Sequence, residues 1–208
     1  MIQRWIAHQF ATPTGLLGRM LVGPWLDRIG APLGQLAIEL LDPQRGEALL
    51  DVGFGGGALL ARLLAARPGR LAGVDVSEAM VHRARQRFGT RVDVALGTAQ
   101  SLPFGDGRFD GVTSVSVLHF WADLVPPLAD IARVLRPGGR LVLVFEEPEQ
   151  LRRWAGHRYG FQTWSSEAVI AAAQRVGLRL TERRDGTGTK PATFTGLRFD
   201  KEAKVGSR

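Results

Sequence analysis

A run of glycines directly after a short apolar segment is the feature of this sequence best suited to binding a ligand. Residues 47–52 (EALLDV) have the composition of a strand buried on both faces, and residues 53–57 (GFGGG) lead into a helix-forming run, residues 58–66. Glycines at such a turn allow positive φ angles and let a ligand approach the main chain without a Cβ in the way. The sequence therefore predicts a strand, a tight turn and a helix that together hold a flat, polar molecule.

The spacing of the glycines agrees with more than one class of cofactor. Gly53, Gly55 and Ala58 satisfy the dinucleotide pattern G-x-G-x-x-G/A. Asp75 ends a second predicted strand, 24 positions after Asp51, where an acid that binds ribose hydroxyls is expected. Spacing alone leaves a dinucleotide and another adenosyl ligand both open.

Four stretches in order resemble the motifs of class I S-adenosylmethionine (SAM) methyltransferases, in particular the small-molecule, type 11-like branch. They are residues 51–57 (DVGFGGG), 74–80 (VDVSEAM), 97–104 (GTAQSLPF) and 135–141 (LRPGGRL), and they cover roughly residues 45–147. Strands alternate with helices here, which predicts an α/β fold with a parallel sheet. The resemblance implies a Rossmann-like three-layer αβα sandwich, whose seven-stranded, mostly parallel sheet has the order 3-2-1-4-5-7-6 and ends in an antiparallel hairpin.

The same resemblance implies which residues bind SAM and its product, S-adenosylhomocysteine (SAH). Asp51 is expected near the ammonium group of the methionine part, and Asp75 is expected to accept hydrogen bonds from both ribose hydroxyls. Many relatives have an acid at the position of Thr98, so the neutral hydroxyl here should bind the adenine amino group more weakly. The other expected contacts of the cofactor are Gly53, Phe54, Gly55, Val76, Met80, Ala99, Gln100 and Ser114.

The segment after the fourth predicted strand, residues 114–121 (SVSVLHFW), should border the reacting methyl group. It lacks the Asn-Pro-Pro-Tyr type of motif that amino-directed methyltransferases use. His119 can deprotonate a hydroxyl acceptor, because an unperturbed imidazole titrates near neutrality, or it can orient the substrate or pack beside Phe120. No metal is expected, since Glu146 and Glu147 after the fifth strand offer no clear set of three oxygen ligands. The predicted substrate pocket comprises His119, Trp121, Trp154 and Tyr159.

Composition restricts the remaining possibilities. A chain of 208 residues with 45% hydrophobic residues suits one domain, and the absence of cysteine excludes disulfides, thiolate zinc sites and thiol nucleophiles. No apolar stretch approaches the roughly 20 residues of a membrane span, and the N-terminus lacks the layout of a signal peptide, so a cytoplasmic protein is expected. The net charge is +7, but the arginines are spread along the chain, which favours a solvated surface over nucleic-acid binding. Arginines and aromatic residues do cluster in residues 151–161, a mixture that can stack on bases.

Three segments are expected. Residues 1–42 mix apolar residues with glycine and proline and should form a helical lid over the site, or alternatively pack in the core or form a homodimer contact. Residues 43–200 form the SAM-dependent methyltransferase domain, and residues 201–208 form a disordered tail.

We expect an enzyme that methylates a small, apolar or aromatic acceptor. The alternatives are an RNA or protein methyltransferase, an NAD(P)-dependent oxidoreductase and a non-catalytic SAM-binding subunit.

Overall fold

A seven-stranded sheet forms the centre of the protein. The computed structural model describes residues 30–153, 162–188 and 192–202, and in these ranges the strand order is β3-β2-β1-β4-β5-β7-β6. The strands are β1 (Ala48–Val52), β2 (Arg70–Asp75), β3 (Asp93–Leu96), β4 (Phe109–Val115), β5 (Leu135–Phe145), β6 (Leu178–Thr187) and β7 (Thr193–Lys201). Strands β1 to β5 pair in parallel, whereas β7 runs antiparallel to both β5 and β6. The expected sheet and its C-terminal hairpin are therefore confirmed.

Helices cover both faces of the sheet. They are α1 (Ala31–Leu41), α2 (Ala58–Ala65), α3 (Glu78–Phe88), α4 (Val125–Val134), α5 (Pro148–Arg153) and α6 (Ser166–Arg175), with short 3-10 turns at Gly89–Arg91 and Leu118–Phe120. Buried side chains of α1, α2 and α3 form one apolar cluster with the sheet, and those of α4 and α6 form the other. The three layers expected from the sequence are thus present. Helix α5 follows β5 closely, in the segment that leads to α6.

Ser77 and the serines of residues 165–167 (SSE) predict the starts of two helices, and the structure has a serine cap at each. The Ser77 hydroxyl accepts a hydrogen bond from the Met80 N–H at the start of α3, and the Ser165 hydroxyl accepts one from the Ala168 N–H at the start of α6. Each cap satisfies one of the N–H groups that a helix leaves unpaired at its first turn. The first cap fixes the start of α3 immediately after β2, where the ribose-binding acid is expected.

Two boundaries differ from the sequence-based expectation. The apolar run in residues 140–145 predicts a fifth strand that begins at Arg140, but β5 begins at Leu135, because Leu135 pairs with Phe109 before a register shift in the ladder with β4. Lys201, expected in the tail, is the last residue of β7, and its ammonium group donates hydrogen bonds to carbonyls at the end of α4, those of Ala132 and Leu135. Residues 203–208 lie outside the described residues.

The described part of the N-terminal segment packs against the sheet. The side chains of Leu36 and Leu40 in α1 lie so close to Gly196 of β7 that a Cβ there would come within 3 Å of both. Helix α1 is therefore a core element, while the lid or dimer contact predicted for the rest of the segment falls on residues 1–29, outside the described residues. Within the described ranges, no helix combines the length and apolarity that crossing a membrane requires.

Candidate functional site

The glycine turn joins the carboxyl end of β1 to α2 at the edge of the sheet where ligands of open α/β folds bind. Gly53, Gly55 and Gly57 have φ angles of +76°, +52° and +79°. The Gly53 N–H donates to the Val74 carbonyl of β2 at 2.7 Å, and the Gly57 N–H donates to the Phe54 carbonyl at 2.9 Å. These bonds hold the turn close to the end of β2.

Glycine is required in this turn for two different reasons. A Cβ on Gly53 would come within 2.5 Å of the Val117 side chain, and one on Gly57 within 2.9 Å of the Phe88 ring. A Cβ on Gly55, in contrast, would meet no atom within 4 Å. The backbone at Gly55 therefore faces open space, where a ligand can approach it closely.

Asp75, the last residue of β2, is held by the backbone of the turn. Its Oδ2 accepts a hydrogen bond from the Gly55 N–H at 2.8 Å, and its Oδ1 accepts one from the Ser77 N–H at 2.9 Å. The residue is buried, and this burial raises its carboxyl pKa, while the bonds from Ser77 and Gly55 act in the opposite direction. These bonds leave part of the acceptor capacity of the carboxylate unused, so it is oriented and can still accept hydrogen bonds from a ligand.

Asp51 places a carboxyl group under the same turn. The Thr113 hydroxyl of β4 donates to its Oδ1 at 3.0 Å, whereas its Oδ2 is buried and has no hydrogen-bond partner among the described residues. Burial raises the pKa of Asp51 to about 7; the Thr113 hydroxyl opposes this rise and the charge of Asp75 adds to it. An unpaired buried carboxyl oxygen is costly, and a cationic or hydrogen-bond-donating ligand would remove the cost.

Several of the predicted cofactor residues offer only their backbone. The Phe54 side chain is buried in the core against Gly73, and the Ser114 hydroxyl donates to the Val52 carbonyl at 3.0 Å within the sheet. Met80 is likewise buried in the core, with 6% of its surface exposed. Their side chains therefore stabilise the walls of the site.

The predicted adenine side of the site is more open. Val76 follows β2 directly and is 55% exposed, so its apolar side chain is open to contact with a ligand. Thr98 and Gln100 are exposed after β3, and Ala99 between them is buried. The Thr98 carbonyl accepts a hydrogen bond from the Ser101 N–H at 3.2 Å, which keeps this loop tight.

On the acceptor side, His119 lies in the 3-10 turn after β4. Its ring centroid is 4.1 Å from that of Phe120, and its carbonyl accepts a hydrogen bond from the Gln162 N–H. Burial lowers the pKa of His119 to about 4, below the near-neutral value of an unperturbed imidazole. A neutral imidazole with this pKa is a weak base, which favours an orienting or packing role over proton abstraction.

Two of the four predicted pocket residues, His119 and Trp121, lie in the described part of the chain. Trp121 is only 3% exposed and belongs to the core, and its carbonyl accepts a hydrogen bond from the Trp164 indole N–H at 3.2 Å. Its indole therefore packs behind the site rather than lining an open surface. Trp154 and Tyr159 lie outside the described residues.

Two polar residues at this edge, Thr113 and Glu146, are not among the site residues predicted from the sequence. Thr113 orients Asp51 from a position 62 residues away. Glu146 follows β5, its Oε1 accepts a hydrogen bond from the Ser116 hydroxyl at 3.3 Å, and its Oε2 is buried without a hydrogen-bond partner among the described residues. Strand alternation is the signal that could have separated Glu146 from Glu147, because successive side chains point to opposite faces of a sheet.

Comparisons with known proteins agree with this geometry. Residues 50–143 match a protein family described as a methyltransferase domain. The ubiquinone/menaquinone biosynthesis C-methyltransferase UbiE of Cereibacter sphaeroides is 36% identical over 146 residues, which cover 66% of this chain and 58% of that protein. The O-methyltransferase cnsE of Penicillium expansum is 39% identical over 108 residues, which cover 50% of this chain and 39% of that protein. This chain thus spans little more than half of the length of UbiE and less than half of the length of cnsE.

The fold is shared with solved methyltransferase structures. The putative methyltransferase in complex with the Haloferax volcanii Trm112 activator superposes with a TM-score of 0.80 at 20% identity, over 88% of this chain and 94% of that one. At this level of identity the likeness concerns the fold alone. Together with the four motifs, the strand order and the matched family model, it leads to one conclusion: residues 50–143 are similar to the methyltransferase domain of class I SAM-dependent methyltransferases.

Proposed function

We propose that this protein transfers a methyl group from SAM to a small acceptor that is apolar or aromatic. The observation that carries the proposal is the unpaired Oδ2 of Asp51, buried beneath a turn of three glycines with positive φ. SAM has an ammonium group at the end of its methionine part, and such a cation suits an unpaired carboxylate.

The cofactor fits the residues around this carboxylate. Asp51 receives the ammonium group, and Asp75 accepts hydrogen bonds from the ribose hydroxyls through its remaining lone pairs. Val76 offers its exposed side chain to one face of the adenine. The turn contributes backbone atoms of Gly53, Phe54 and Gly55, and the wall and rim of the site are formed by Met80, Thr98, Ala99, Gln100 and Ser114.

The reaction asks little of the side chains. SAM supplies a methyl group on a positively charged sulfur, which is an activated leaving group. Alignment of two bound reactants can supply about 7–11 kcal/mol of a reaction barrier. The chain's own contribution is therefore to bind and orient both molecules and to exclude water, and His119 orients the acceptor rather than accepting its proton.

The relatives support a small-molecule acceptor. UbiE is named as a C-methyltransferase of quinone biosynthesis and cnsE as an O-methyltransferase. The aromatic side chains expected near the acceptor, those of Trp154 and Tyr159 with Trp121 behind them, suit a flat apolar molecule. The acceptor itself is a matter for screening.

Calorimetry tests the donor class directly. We expect purified protein to bind SAH, and to show no heat of binding with NAD or NADP at the same concentrations. Transfer of a labelled methyl group from SAM to an acceptor then separates an enzyme from a non-catalytic SAM-binding subunit. Binding of NAD or NADP without binding of SAH would contradict the proposal and favour an oxidoreductase.

A further inference from the structure

Glu146 carries the second buried side-chain oxygen that lacks a hydrogen-bond partner among the described residues; Asp51 carries the first. No residue in the described ranges forms a salt bridge with Glu146, and the Ser116 hydroxyl donates only to its Oε1. Burial raises the pKa of Glu146, while its own backbone N–H and the Ser116 hydroxyl act in the opposite direction. A buried carboxyl with a free oxygen is unfavourable for stability, which suggests that the position serves a ligand.

The position of Glu146 in the sheet connects it with the donor site. Val142 and Val144 of β5 pack in the cluster of α1, α2 and α3, so by alternation Glu146 points to that face. Leu49 and Asp51 are two residues apart in β1, so their side chains point to the same face of the sheet. Because Leu49 belongs to that cluster, Asp51 faces the same side as Glu146. Strand β4 alone separates β1 from β5, and two strand spacings amount to about 10 Å.

Glu147 provides the contrast within the same strand end. Its carboxylate accepts hydrogen bonds from the Ser166 hydroxyl and, at 3.4 Å each, from the Ser166 N–H and the Thr195 hydroxyl. Arg183 approaches it at 3.7 Å. Glu147 therefore joins α6 to the sheet, and its polar atoms are satisfied by the fold itself.

Ser116, the partner of Glu146, has an unusual backbone. Its φ angle of +53° is in the left-handed region, which non-glycine residues rarely adopt. Strained residues of this kind persist where the surrounding structure fixes them, and they cluster at functional sites. Here the strained residue stands between β4 and the turn with His119, and its N–H donates to the Val144 carbonyl of β5 at 2.8 Å. The strain thus places the Ser116 hydroxyl at the end of β5, beside Glu146.

We propose that Glu146, held by Ser116, binds a hydroxyl group of the acceptor through its free Oε2 and accepts the proton of that hydroxyl during methyl transfer. The inference rests on the proposed function and names the acceptor class of the same site. The acceptor oxygen forms a bond to the methyl carbon, the carbon–sulfur bond breaks with its electron pair on sulfur, and the hydroxyl proton moves to Oε2. The positive charge on the sulfur of SAM is lost when SAH forms, and the negative charge of Glu146 is lost when it takes the proton. Atoms and charge therefore balance.

The chemistry of the neighbouring groups agrees with this role. A general base works best when its pKa approaches the working pH, and burial moves Glu146 in that direction. The pKa of about 4 makes His119 a weaker candidate at the same edge. Glu146 therefore replaces His119 as the group that accepts the acceptor's proton.

The first test needs no acceptor. We expect Glu146→Leu to leave the melting temperature unchanged or to raise it by a few degrees, because it removes an unsatisfied buried carboxyl. The matched variant Glu147→Leu should lower the melting temperature, because it leaves the hydroxyl and the N–H of the buried Ser166 without their acceptor. A decrease in Glu146→Leu as large as that in Glu147→Leu would show that Glu146 is structural and would overturn the proposal.

The second test uses phenols of different acidity as probes, with labelled SAM at pH 8. In Glu146→Gln, methylation of 4-methylphenol should fall about 100-fold, in the range of general-base effects, whereas methylation of the already ionised 4-nitrophenol should fall less than threefold. SAH affinity measured by calorimetry should stay within twofold of the wild type. Equal losses for both phenols, or no loss for either, would overturn the proposal.

The two proposals fail in different ways. Wild-type protein that does not bind SAH contradicts the proposed function. Wild-type protein that binds SAH but methylates no member of a panel of phenols, naphthols and naphthoquinols contradicts only the hydroxyl acceptor assigned to Glu146. Ser116→Ala provides an independent check, because loss of the hydroxyl should reduce methyl transfer to 4-methylphenol while leaving SAH affinity unchanged. Unaltered transfer would show that Ser116 does not position Glu146.

Discussion

The Oδ2 of Asp75 accepts a hydrogen bond from the backbone N–H of Gly55 at 2.8 Å. This bond joins the end of β2 to the glycine turn after β1, so the acid that is expected to bind ribose also fixes the turn that is expected to bind the methionine part. Because Ser77 holds the other oxygen, the carboxylate is oriented by the protein before any ligand arrives. Such preorganisation reduces the entropy that binding must overcome.

Asp75→Asn should weaken the binding of SAH by about 1.5–3 kcal/mol, the usual range for hydrogen bonds to a charged group. The amide keeps the size of the side chain but replaces one acceptor oxygen by a donor. Asp93→Asn is the matched control, since Asp93 is an exposed acid at the start of the next strand and pairs with Arg70. Calorimetry that gives Asp75→Asn the affinity of the wild type, with the fold intact by circular dichroism, would refute the ribose assignment.

Gly53→Ala should abolish measurable SAH binding and destabilise the protein more than Gly138→Ala. Both glycines have a φ of +76°, and a left-handed alanine costs about 1–2 kcal/mol in either place. Only the alanine at 53 would also meet Val117, at 2.5 Å, whereas nothing lies within 4 Å of a Cβ at 138. Urea unfolding should show this difference, and Val117→Ala should reduce it in the double variant. Equal losses of stability in the two single variants would contradict the packing argument.

Thr98 tests the weakest part of the predicted cofactor site. Thr98→Val should change SAH affinity by less than about 1 kcal/mol, because a neutral hydroxyl in an exposed loop contributes little. Thr98→Asp should bind SAH as tightly as the wild type or more tightly, since a carboxylate is a stronger acceptor for the adenine amino group. Calorimetry of both variants decides, and a large loss in Thr98→Val would reveal a contact made by the hydroxyl.

Nucleic-acid binding should be weak despite the net charge of +7. We predict no affinity for RNA or DNA tighter than about 10 μM at physiological salt, which is in the range of non-specific association. The triple variant of Arg152, Arg153 and Arg158 to alanine should therefore retain the methyl transfer of the wild type. Fluorescence anisotropy at two salt concentrations measures the affinity for RNA and DNA. A salt-sensitive affinity well below that limit, lost in the triple variant, would favour an RNA methyltransferase.

Local signals in the sequence predicted the secondary structure around the candidate cofactor site. The Ser77 cap, the glycine turn and the acids near the carboxyl ends of β1 and β2 each act within a few residues, so their patterns can be read along the chain. The strand order came from the resemblance, because pairing of distant strands leaves no local signal. The unpaired oxygen of Asp51 depends on Thr113, 62 residues away. The role of Glu146 and the pKa of His119 depend on burial, which is a property of the folded chain.

The most direct test of the account asks whether the Asp51 carboxylate receives the ammonium group of the donor. In the free protein, burial raises its pKa to about 7, so below that pH the carboxyl is largely protonated. A bound cation favours the ionised form and lowers this pKa, so binding of SAH must release a proton, and affinity must rise with pH between about 5 and 8.

Calorimetry of SAH binding at pH 6 in two buffers of different ionisation enthalpy measures this proton. We expect the wild type to release most of one proton, and Asp51→Asn to release little and to bind SAH more weakly, with almost no dependence on pH. Thr113→Val, which removes the hydroxyl that favours the ionised form, should release more protons than the wild type if the latter's release is incomplete. Tight SAH binding by the wild type without proton release, and with the same affinity and pH dependence in Asp51→Asn, would contradict the central claim.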